Sequence, residues 1–460
     1  MPKLTTGARP QPLPEDTRLK IVYRPTGDLR PYAGNARTHN AKQIVQIAAS
    51  IRKFGFTNPV LIDDHGEIVA GHGRVAAAKQ LGLAEVPTIA LGHLTAAERR
   101  AYVIADNRLA ELAGWDREIL RIEFQALAEL DLDFDLEITG FETAELDLLL
   151  DDGDEPASDP ADDTPALEPG PAVTQSGDVW LLGPHRLICG DARSPGTYMA
   201  LMQGDRARAV FTDPPYNVKI DGHVCGSGTV KHREFAMASG EMDPASFTSF
   251  LEASLGAMAA VSADGAIHFV CMDWRHMGEL QAAGSKVYSE LKNLVIWAKT
   301  NGGMGTFYRS RHELVFVYKV GTAPHTNTFG LGEHGRYRTN VWDYPGVNSF
   351  GGSQKDLALH PTVKPTALVA DAIKDVTKRG EIVLDGFGGS GTTLIAAERT
   401  GRVARLVELD PLYCDVICRR YERQTGVPAR LEASGVNFED VAQDRMTAEA
   451  DTASGAEDAA

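Results

Sequence analysis

The stretch Asp385-Gly386-Phe387-Gly388-Gly389-Ser390-Gly391-Thr392 decides the fold of this chain, together with the shorter stretch Asp213-Pro214-Pro215-Tyr216. The first follows the apolar run 381–384, and the second follows the β-branched and aromatic run 209–212. Each run is typical of a buried parallel strand, so each quoted stretch begins where a strand ends. Ligands of open α/β sheets bind at the carboxyl ends of their strands. We therefore expect both stretches at one ligand-binding edge.

The glycine-rich stretch has the properties of a loop that touches a ligand. Its glycines carry no Cβ, so the backbone can approach a bound molecule closely. A helix predicted to begin near Thr392 would direct free N–H groups toward that molecule. The next apolar run, 403–407, ends at Glu408, where a carboxylate is placed to accept both hydroxyls of a ribose. Asp410 is the alternative for that role, although its position before Pro411 favours a helix cap.

The Asp-Pro-Pro-Tyr stretch is suited to holding an exocyclic amine. Its two prolines, Pro214 and Pro215, fix φ and remove two N–H donors, so the carbonyl groups there are held rigidly. The side chain of Asp213 and the carbonyl of Pro214 can accept both hydrogens of such an amine. Tyr216 offers a ring on which an extruded base can stack.

Together the two stretches resemble the catalytic and S-adenosylmethionine loops of DNA methyltransferases that methylate amino groups. The order here, with the catalytic loop first, resembles the circularly permuted β class of that family. The resemblance implies an α/β fold with a Rossmann-like sheet of seven strands, in a methyltransferase domain over residues 177–426. It implies S-adenosyl-L-methionine as the cofactor, bound by these residues: Asp385, Phe387, Gly388, Gly389, Ser390, Gly391, Thr392, Glu408, Asp191, Thr362 and Lys364.

Two parts of this cofactor site are implied by the resemblance alone. Asp191 follows a predicted strand and would reach the adenine of the cofactor, while a helix N-cap is the alternative interpretation. The block 360–365 resembles the family motif that closes over the methionine part of the cofactor, and Lys364 or Thr362 would bind its carboxylate. The same block is also typical of a helix start, with Pro365 in the first turn.

Basic residues near the predicted base pocket are candidate DNA contacts. Arg309 and Arg311 lie in a predicted hairpin with a long glycine-rich tip, between strand-like runs at 294–297 and 314–318. Arginines at that place could hold phosphates, although a solvated loop also explains them. Two candidate target-reading segments, 218–242 and 322–359, carry the other basic candidates: Lys219, Arg336 and Arg338.

The N-terminal part of the chain predicts a smaller α+β domain over residues 19–121, after a flexible Pro-rich segment over 1–18. A predicted helix, two strands and the turn Gly71-His72-Gly73-Arg74 resemble the N-terminal domain of the ParB family. In that family a Gly-Glu-Arg-Arg sequence binds nucleotide phosphates or supports nuclease activity. Only Gly71 and Arg74 match here, so we expect a docking or DNA-contacting role and leave nucleotide binding open.

The remaining segments are acidic. An acidic helical and Pro-rich linker is predicted over residues 122–176, and an acidic disordered tail over 427–460. Residues 129–163 alone contain 15 acidic residues and no Lys or Arg, which accounts for most of the net charge of −17. The rest of the chain is slightly basic once the acidic tail is also set aside. DNA affinity should then depend on a local groove and be strongly salt-sensitive.

Composition excludes several other classes of protein. A chain of 460 residues is too long for one core, so two or three domains are expected. Its apolar runs are too short to span a bilayer, and no secretory signal is recognised at the N-terminus. The five cysteines are scattered without a paired Cys-x-x-Cys set, which predicts reduced thiols, no metal site and a cytoplasmic location.

These observations predict a site-specific methyltransferase that transfers a methyl group from S-adenosylmethionine to adenine N6 in double-stranded DNA. Aspartate at the first catalytic position favours adenine; serine would favour cytosine N4, which remains the alternative. Protein glutamine methylation is a weaker option, because its family prefers asparagine there. The rival from another class is a ParB-like DNA-segregation or regulatory protein with a decayed methylase. A homodimer and a restriction partner stay open.

Overall fold

The computed structural model describes residues 19–128, 130, 132–150, 159–165, 167, 170–217, 240–299, 308, 310–329, 338–345, 364–445 and 447. The chain divides into two compact units, Met1–Leu150 and Asp151–Ala460. The predicted flexible segment over 1–18 lies outside the described residues.

The first unit begins with a four-stranded sheet in the order β1-β4-β2-β3, flanked by helices. Asn40 caps the first helix, and Thr95 with Glu98 forms a capping box on the third. The α+β character predicted for this part is confirmed by the following elements: β1 (Ile21–Pro25), α1 (Ala41–Phe54), β2 (Val60–Ile62), β3 (Ile68–Ala70), α2 (His72–Gln80), β4 (Glu85–Ala90) and α3 (Ala96–Glu111).

Two further helices, α4 (Arg117–Ala128) and α5 (Thr143–Leu150), complete the first unit. They enclose a small core that includes Phe124, Leu146 and Leu149. The predicted linker beginning at residue 122 is therefore wrong for this stretch. Its acidic residues alternate with leucines and phenylalanines, and several of these apolar side chains are buried or partly buried while most of the acids stay on the surface.

The second unit is built on a mixed ten-stranded sheet in the order β11-β9-β10-β8-β7-β12-β13-β6-β5-β14. Its strands are β5 (Val179–Leu182), β6 (His185–Cys189), β7 (Ala207–Thr212), β8 (Ser262–Met272), β9 (Glu290–Ala298), β10 (His312–Lys319), β11 (Val341–Asp343), β12 (Ile382–Asp385), β13 (Val403–Glu408) and β14 (Arg430–Leu431). Its helices are α6 (Pro195–Met202), α7 (Pro244–Ala260), α8 (Met277–Val287), α9 (Thr366–Val376), α10 (Thr392–Thr400) and α11 (Pro411–Thr425).

Seven neighbouring strands of this sheet, from β9 to β6 in spatial order, are those that the sequence predicts. The parallel set β8-β7-β12-β13-β6 forms its centre, and β12 and β13 lie between strands that precede them in the chain. This order is that of the predicted circular permutation. Three short strands that were not predicted extend the sheet at its edges: β5, β14 and β11.

The folded part of the second unit continues past residue 426, where the sequence analysis ended it. Strand β14 pairs with β5, and Phe438 packs on Trp180 with ring centroids 5.1 Å apart. Arg445 forms an ion pair with Asp178 at 2.6 Å. The predicted disordered tail over 427–460 is thus wrong up to residue 445, because a few apolar side chains in an acidic stretch are buried against β5. Residues 448–460 lie outside the described part of the chain.

The second unit also begins before residue 177. The backbone N–H groups of Val173 and Thr174 donate to the carboxylate of Asp415 on α11, at 2.7 and 2.9 Å. Residues 160–162 form a 3₁₀ turn, and Ala161 of this turn is buried in the hydrophobic core of the second unit. The last part of the predicted linker is therefore packed on the catalytic sheet.

Among the described residues no helix combines the length and the apolar character needed to cross a bilayer. Four cysteines in these residues are buried and free, at positions 189, 271, 414 and 418. Within the same residues no group of His, Cys, Asp or Glu side chains is arranged to hold a metal ion.

Candidate active site at the carboxyl edge of the sheet

The ends of β7 and β12 are joined by a hydrogen bond. Thr212 directly precedes Asp213, and its hydroxyl donates to Oδ1 of Asp385 at 2.9 Å. Asp385 also accepts from the backbone N–H of Phe387 at 3.0 Å and from the hydroxyl of Thr393 at 2.7 Å. Burial raises the pKa of Asp385 to about 7, although these donors oppose the shift. The side chain of Asp385 thus organises the loop from within and fixes the catalytic strand beside it.

The glycine-rich loop adopts a backbone that requires glycine. Gly391 has φ of +85°, and a Cβ there would lie 3.1 Å from Ile417 of α11. Gly388 is closely packed as well, since its Cβ would lie 3.3 Å from the same side chain. Helix α10 begins at Thr392, as predicted, so its first N–H groups are at this edge.

Glu408 ends β13 beside the glycine loop. Its Oε2 accepts from the backbone N–H of Gly389 at 2.7 Å, and its Oε1 accepts from that of Asp410 at 2.9 Å. Burial raises the pKa of Glu408 to about 7. Each carboxylate oxygen keeps acceptor capacity, so the group fits the pair of hydroxyls expected of a ribose. Asp410 caps α11 through the N–H of Leu412, which confirms the predicted cap.

Asp191 follows β6 and lies next to this group, because the N–H of Gly190 donates to the carbonyl of Glu408 at 2.8 Å. The alternative interpretation of Asp191 as a helix N-cap is wrong, since Ser194 occupies that position before α6. The carboxylate of Asp191 instead accepts from the backbone N–H of Arg193 at 2.8 Å and pairs with its guanidinium at 2.7 Å.

The catalytic stretch contains a compact cluster of charges. Oδ1 of Asp213 accepts from the hydroxyl of Tyr216 at 2.5 Å, and Oδ2 accepts from the ammonium group of Lys364. The same ammonium group lies 3.0 Å from Oε2 of Glu313, which also pairs with Lys299. The side chain of Lys364 is only 5% exposed. Two acids and two lysines therefore alternate at the end of β7.

Burial and the neighbouring charges act in opposite directions on the members of this cluster. Burial raises the pKa of Asp213, and Lys364 partly offsets that shift. Burial also opposes ionisation of Glu313, but Lys364 and Lys299 together lower its pKa. Burial alone would lower the pKa of Lys364, yet Asp213 and Glu313 raise it above its ordinary value. Lys364 is therefore a permanent cation that stabilises the ionised form of Asp213.

Two aromatic rings lie next to this cluster, and the residue after Tyr216 holds the two ends of the following segment together. The ammonium group of Lys364 lies 5.6 Å from the ring centroid of Tyr216 and 5.8 Å from that of Trp297. Asn217 follows with φ of +54°, and its side chain accepts from the N–H of Gly240 at 3.0 Å and donates to the carbonyl of Met242 at 2.8 Å. Asn217 thus ties together the two ends of the candidate target-reading segment, most of which lies outside the described residues.

The candidate DNA contacts are only partly described. Arg311 is exposed, and its Nε donates to the carbonyl of Lys299 at 2.9 Å. Arg338 is 14% exposed and pairs with Asp375 at 2.9 Å and with Asp371 at 3.5 Å. Arg338 is thus held by two acids of the same unit, and its role as a DNA contact stays a prediction. The other candidates lie outside the described residues, as does Thr362 of the cofactor set: Lys219, Arg309 and Arg336.

The side chains of the turn that resembles the ParB motif form hydrogen bonds within the first unit. Gly71 has φ of +102° and precedes α2. His72 accepts a hydrogen bond at Nε2 from the N–H of Tyr32 at 3.2 Å, and Arg74 donates to the carbonyl of Asn58 at 2.8 Å. Burial lowers the pKa of His72 and of Arg74. These contacts fit a structural turn with a partly buried arginine.

Sequence reasoning missed two members of the charge cluster, Glu313 and Lys299. A signal for Glu313 was present. Because β10 is antiparallel to β8, the start of β10 lies at the same edge as the ends of the parallel strands. A carboxylate at the start of an otherwise apolar strand therefore belongs to this site.

Comparisons with known proteins agree with this geometry. Residues 207–419 match the family described as DNA methylase, residues 118–176 the ParB-methyltransferase HTH domain, and residues 20–107 the ParB N-terminal domain. The second match covers the whole stretch predicted as a linker, residues 122–176.

Individual relatives match separate parts of the chain. The ParB-like nuclease domain-containing protein YnaK of Escherichia coli (strain K12) is 60% identical over 78 residues, which are 17% of this chain and 90% of that protein. Type II methyltransferase M2.MboI of Moraxella bovis is 23% identical over 241 residues, which are 50% of this chain and 86% of that protein. Among solved structures, the cytosine-N4-specific PvuII DNA methyltransferase has 14% identity, covers 59% of this chain and 93% of its own, and gives a TM-score of 0.41.

The strand-end loops and the family matches lead to one conclusion. The chain carries a DNA methylase domain of the N6-adenine and N4-cytosine family, preceded by a ParB-like domain.

Proposed function

We propose that this methyltransferase modifies adenine at N6 in double-stranded DNA. The observation that supports this choice is the carboxylate at the first catalytic position. Asp213 is partly buried at the end of β7, and Lys364 favours its ionised form. A serine hydroxyl at that position would have favoured cytosine N4, which remains the alternative. Both amines need the same two hydrogen-bond acceptors, so the base has to be identified by experiment.

The methyl donor is S-adenosylmethionine, which supplies an electrophilic methyl group when it is bound. Glu408 accepts the ribose hydroxyls through the acceptor capacity that its two backbone contacts leave free. Asp191 lies beside Glu408 and is placed for the adenine end. The N-terminus of α10, from Gly391 onward, faces the same edge and favours a polar or anionic group.

At the catalytic end, Asp213 and the carbonyl of Pro214 each accept a hydrogen of the target amine. These contacts fix the nitrogen lone pair in the direction of the cofactor, which contributes through positioning. The nitrogen gains a methyl group and releases one hydrogen as a proton, and Asp213 in its ionised form accepts that proton. The ring of Tyr216 lies beside this position and stacks on the extruded base.

Methyl transfer from labelled S-adenosylmethionine to plasmid DNA tests this function. The modified nucleosides are then separated, and we expect N6-methyladenosine in its deoxy form. Asp213→Ala should abolish transfer and leave the dissociation constant of the cofactor within about twofold, because Asp213 contacts the amine and not the cofactor. N4-methylcytosine would move the assignment to the alternative base. Full activity of Asp213→Ala would overturn the proposed catalytic stretch.

For the first unit we propose a role in holding DNA near the catalytic unit. The contacts of Arg74 and His72 within the unit support this more than nucleotide turnover. Loss of such a tethered site should raise the Michaelis constant for DNA and reduce its salt dependence, with little change in kcat. A triphosphate that raised the melting temperature, with the effect lost in Arg74→Ala, would support nucleotide binding instead. A homodimer stays a prediction.

A further inference from the structure

A short segment just before the sheet of the second unit contacts residues that border both halves of the active site. Residues 159–162, here called the strap, follow the chain that leaves the first unit. The strap forms a 3₁₀ turn that begins with a cap from Asp159 to the N–H of Ala161 at 2.9 Å. Asp159 also pairs with Arg399, and the carbonyl of Pro160 accepts from Gln424 at 3.1 Å. The strap is thus fixed on α10 and α11.

One contact of the strap leads through Arg420 of α11 to the glycine-rich loop. Arg420 is 1% exposed, and Nη2 of its guanidinium donates to the carbonyl of Ala161 at 2.6 Å. Its Nη1 donates to the carbonyl of Ser390 at 2.9 Å and lies 3.3 Å from the hydroxyl of Thr392. One buried cation therefore holds the strap on one side and the glycine-rich loop on the other.

The second contact leads to the segment that carries Lys364. Oδ1 of Asp162 accepts from the backbone N–H of Thr366 at 2.7 Å, which satisfies a free donor at the start of α9. Pro365 occupies the N-cap position of that helix and offers no side-chain cap, so Asp162 supplies the cap from outside. Thr366 is two residues after Lys364, which pairs with Asp213. The position of Lys364 thus depends on how α9 begins.

We propose that Asp162 and Arg420 are positioning residues for methyl transfer, and that the strap couples the cofactor loop to the segment carrying Lys364. The strap lies outside the stretch 207–419 that matches the methylase family. The inference rests on S-adenosylmethionine as the cofactor and on no particular target base. It predicts that one change in the strap alters two sites that are far apart in sequence.

Matched pairs of variants in the full chain test the proposal. Asp163 and Arg423 pair at 3.2 Å on the surface, one residue after Asp162 and one helical turn after Arg420. Asp162→Ala and Asp163→Ala are therefore compared, as are Arg420→Lys and Arg423→Lys. Calorimetry should give a dissociation constant for S-adenosylmethionine that is about five- to tenfold higher in Asp162→Ala, from the lost cap and the loosened loop. The change in Arg420→Lys should be at least as large, and both controls should stay within about twofold.

Two readouts separate positioning from a general loss of stability. Asp162→Asn keeps an oxygen that accepts from Thr366, so it should restore most of the affinity. Amide hydrogen exchange should increase in Asp162→Ala both at 366–369 and at 390–394, whereas a local cap effect would change only the first stretch. If Arg420→Lys does not fold, the Asp162 pair and the exchange data still decide.

An affinity of Asp162→Ala within twofold of wild type, or faster exchange at 366–369 alone, would overturn the proposal. Wild-type protein that binds no S-adenosylmethionine would instead contradict the cofactor assignment. The two failures are therefore distinguishable in the same set of titrations.

Discussion

The ammonium group of Lys364 donates a hydrogen bond to the carboxylate of Asp213, although the two residues are 151 positions apart in the chain. By resemblance, Lys364 would bind the carboxylate of the cofactor. In the structure it lies between Asp213 and Glu313 and is almost fully buried. Its charge therefore acts first on Asp213, the group that we propose receives the target amine. This relationship gives Lys364 an electrostatic role in the amine site that can be tested directly.

Lys364→Met should shift the pH dependence of kcat. Lys364 lowers the pKa of Asp213, against the effect of burial, so its removal raises that pKa further. Because catalysis needs ionised Asp213, the acidic limb of the profile should move to higher pH. The dissociation constant of the cofactor should change by less than about twofold, since no loss of a cofactor contact is expected.

The control for this variant is Lys286→Met, which removes a lysine from a surface pair with Glu252. Its profile should match that of wild type, since exposed pairs contribute little. A large loss of cofactor affinity in Lys364→Met, with an unmoved acidic limb, would return Lys364 to the cofactor carboxylate.

Some features of this site could be predicted from sequence because each is local. The two loops directly follow apolar runs, so the end of each strand and the loop after it can be predicted from one short stretch of sequence. The role of Asp410 as a cap also follows from its neighbour Pro411. The pairing of Lys364 with Asp213 could not be predicted in this way, because only the sheet order brings their segments together.

Other features were missed because composition concealed a pattern. The acids between residues 129 and 150 suggested a linker, while the leucines between them form a small core. The same is true of Phe438 in the acidic C-terminal stretch, which is buried against Trp180. Net charge describes the surface of such segments and does not exclude a buried face.

Glu408→Gln should weaken cofactor binding by about 1.5–3 kcal/mol, because the ribose hydroxyls lose a charged acceptor. The wild-type affinity should also fall as pH decreases through about 7, the raised pKa of Glu408 in the free protein. The ionised carboxylate is the stronger acceptor, so protonation competes with binding. The variant should lack this pH dependence.

Asp410→Asn is the matched control for Glu408→Gln, because asparagine can also cap the helix that Asp410 caps. It should retain both the affinity and its pH dependence. Calorimetry at several pH values between 6 and 8 gives the affinity and its pH dependence. A shift of one pKa unit on binding corresponds to about 1.4 kcal/mol. Unchanged affinity in Glu408→Gln, with a loss in Asp410→Asn, would move the ribose role to Asp410.

The stability of the free protein should depend on pH through Asp385. Burial raises its pKa in the folded state to about 7, above the value of about 3.9 for an unperturbed Asp. Between these values the folded state holds a proton that the unfolded state has lost, so stability falls as pH rises. Asp385→Asn should therefore raise the melting temperature more at pH 8 than at pH 5.

The control for this pH effect is Asp243→Asn. Asp243 caps α7, and its backbone hydrogen bond to Ser246 lowers its pKa. Its stabilising effect is present above the unfolded pKa and is lost only in acid, so this variant should show no pH-dependent change between pH 5 and 8. A melting-temperature difference for Asp385→Asn that is equal at both pH values would contradict the raised pKa.

Two substitutions of Tyr216 separate its ring from its hydroxyl. Tyr216→Ala removes the stacking surface and should weaken the productive binding of DNA by about 1–3 kcal/mol, measured as kcat/KM for DNA. Tyr216→Phe keeps the ring but removes the donor to Oδ1 of Asp213. That donor favours the carboxylate, so the acidic limb of the kcat profile should move to higher pH in Tyr216→Phe, with KM for DNA nearly unchanged. If Tyr216→Phe lost as much kcat/KM as Tyr216→Ala at every pH, the hydroxyl and not the ring would carry the contribution, and the stacking role would be wrong.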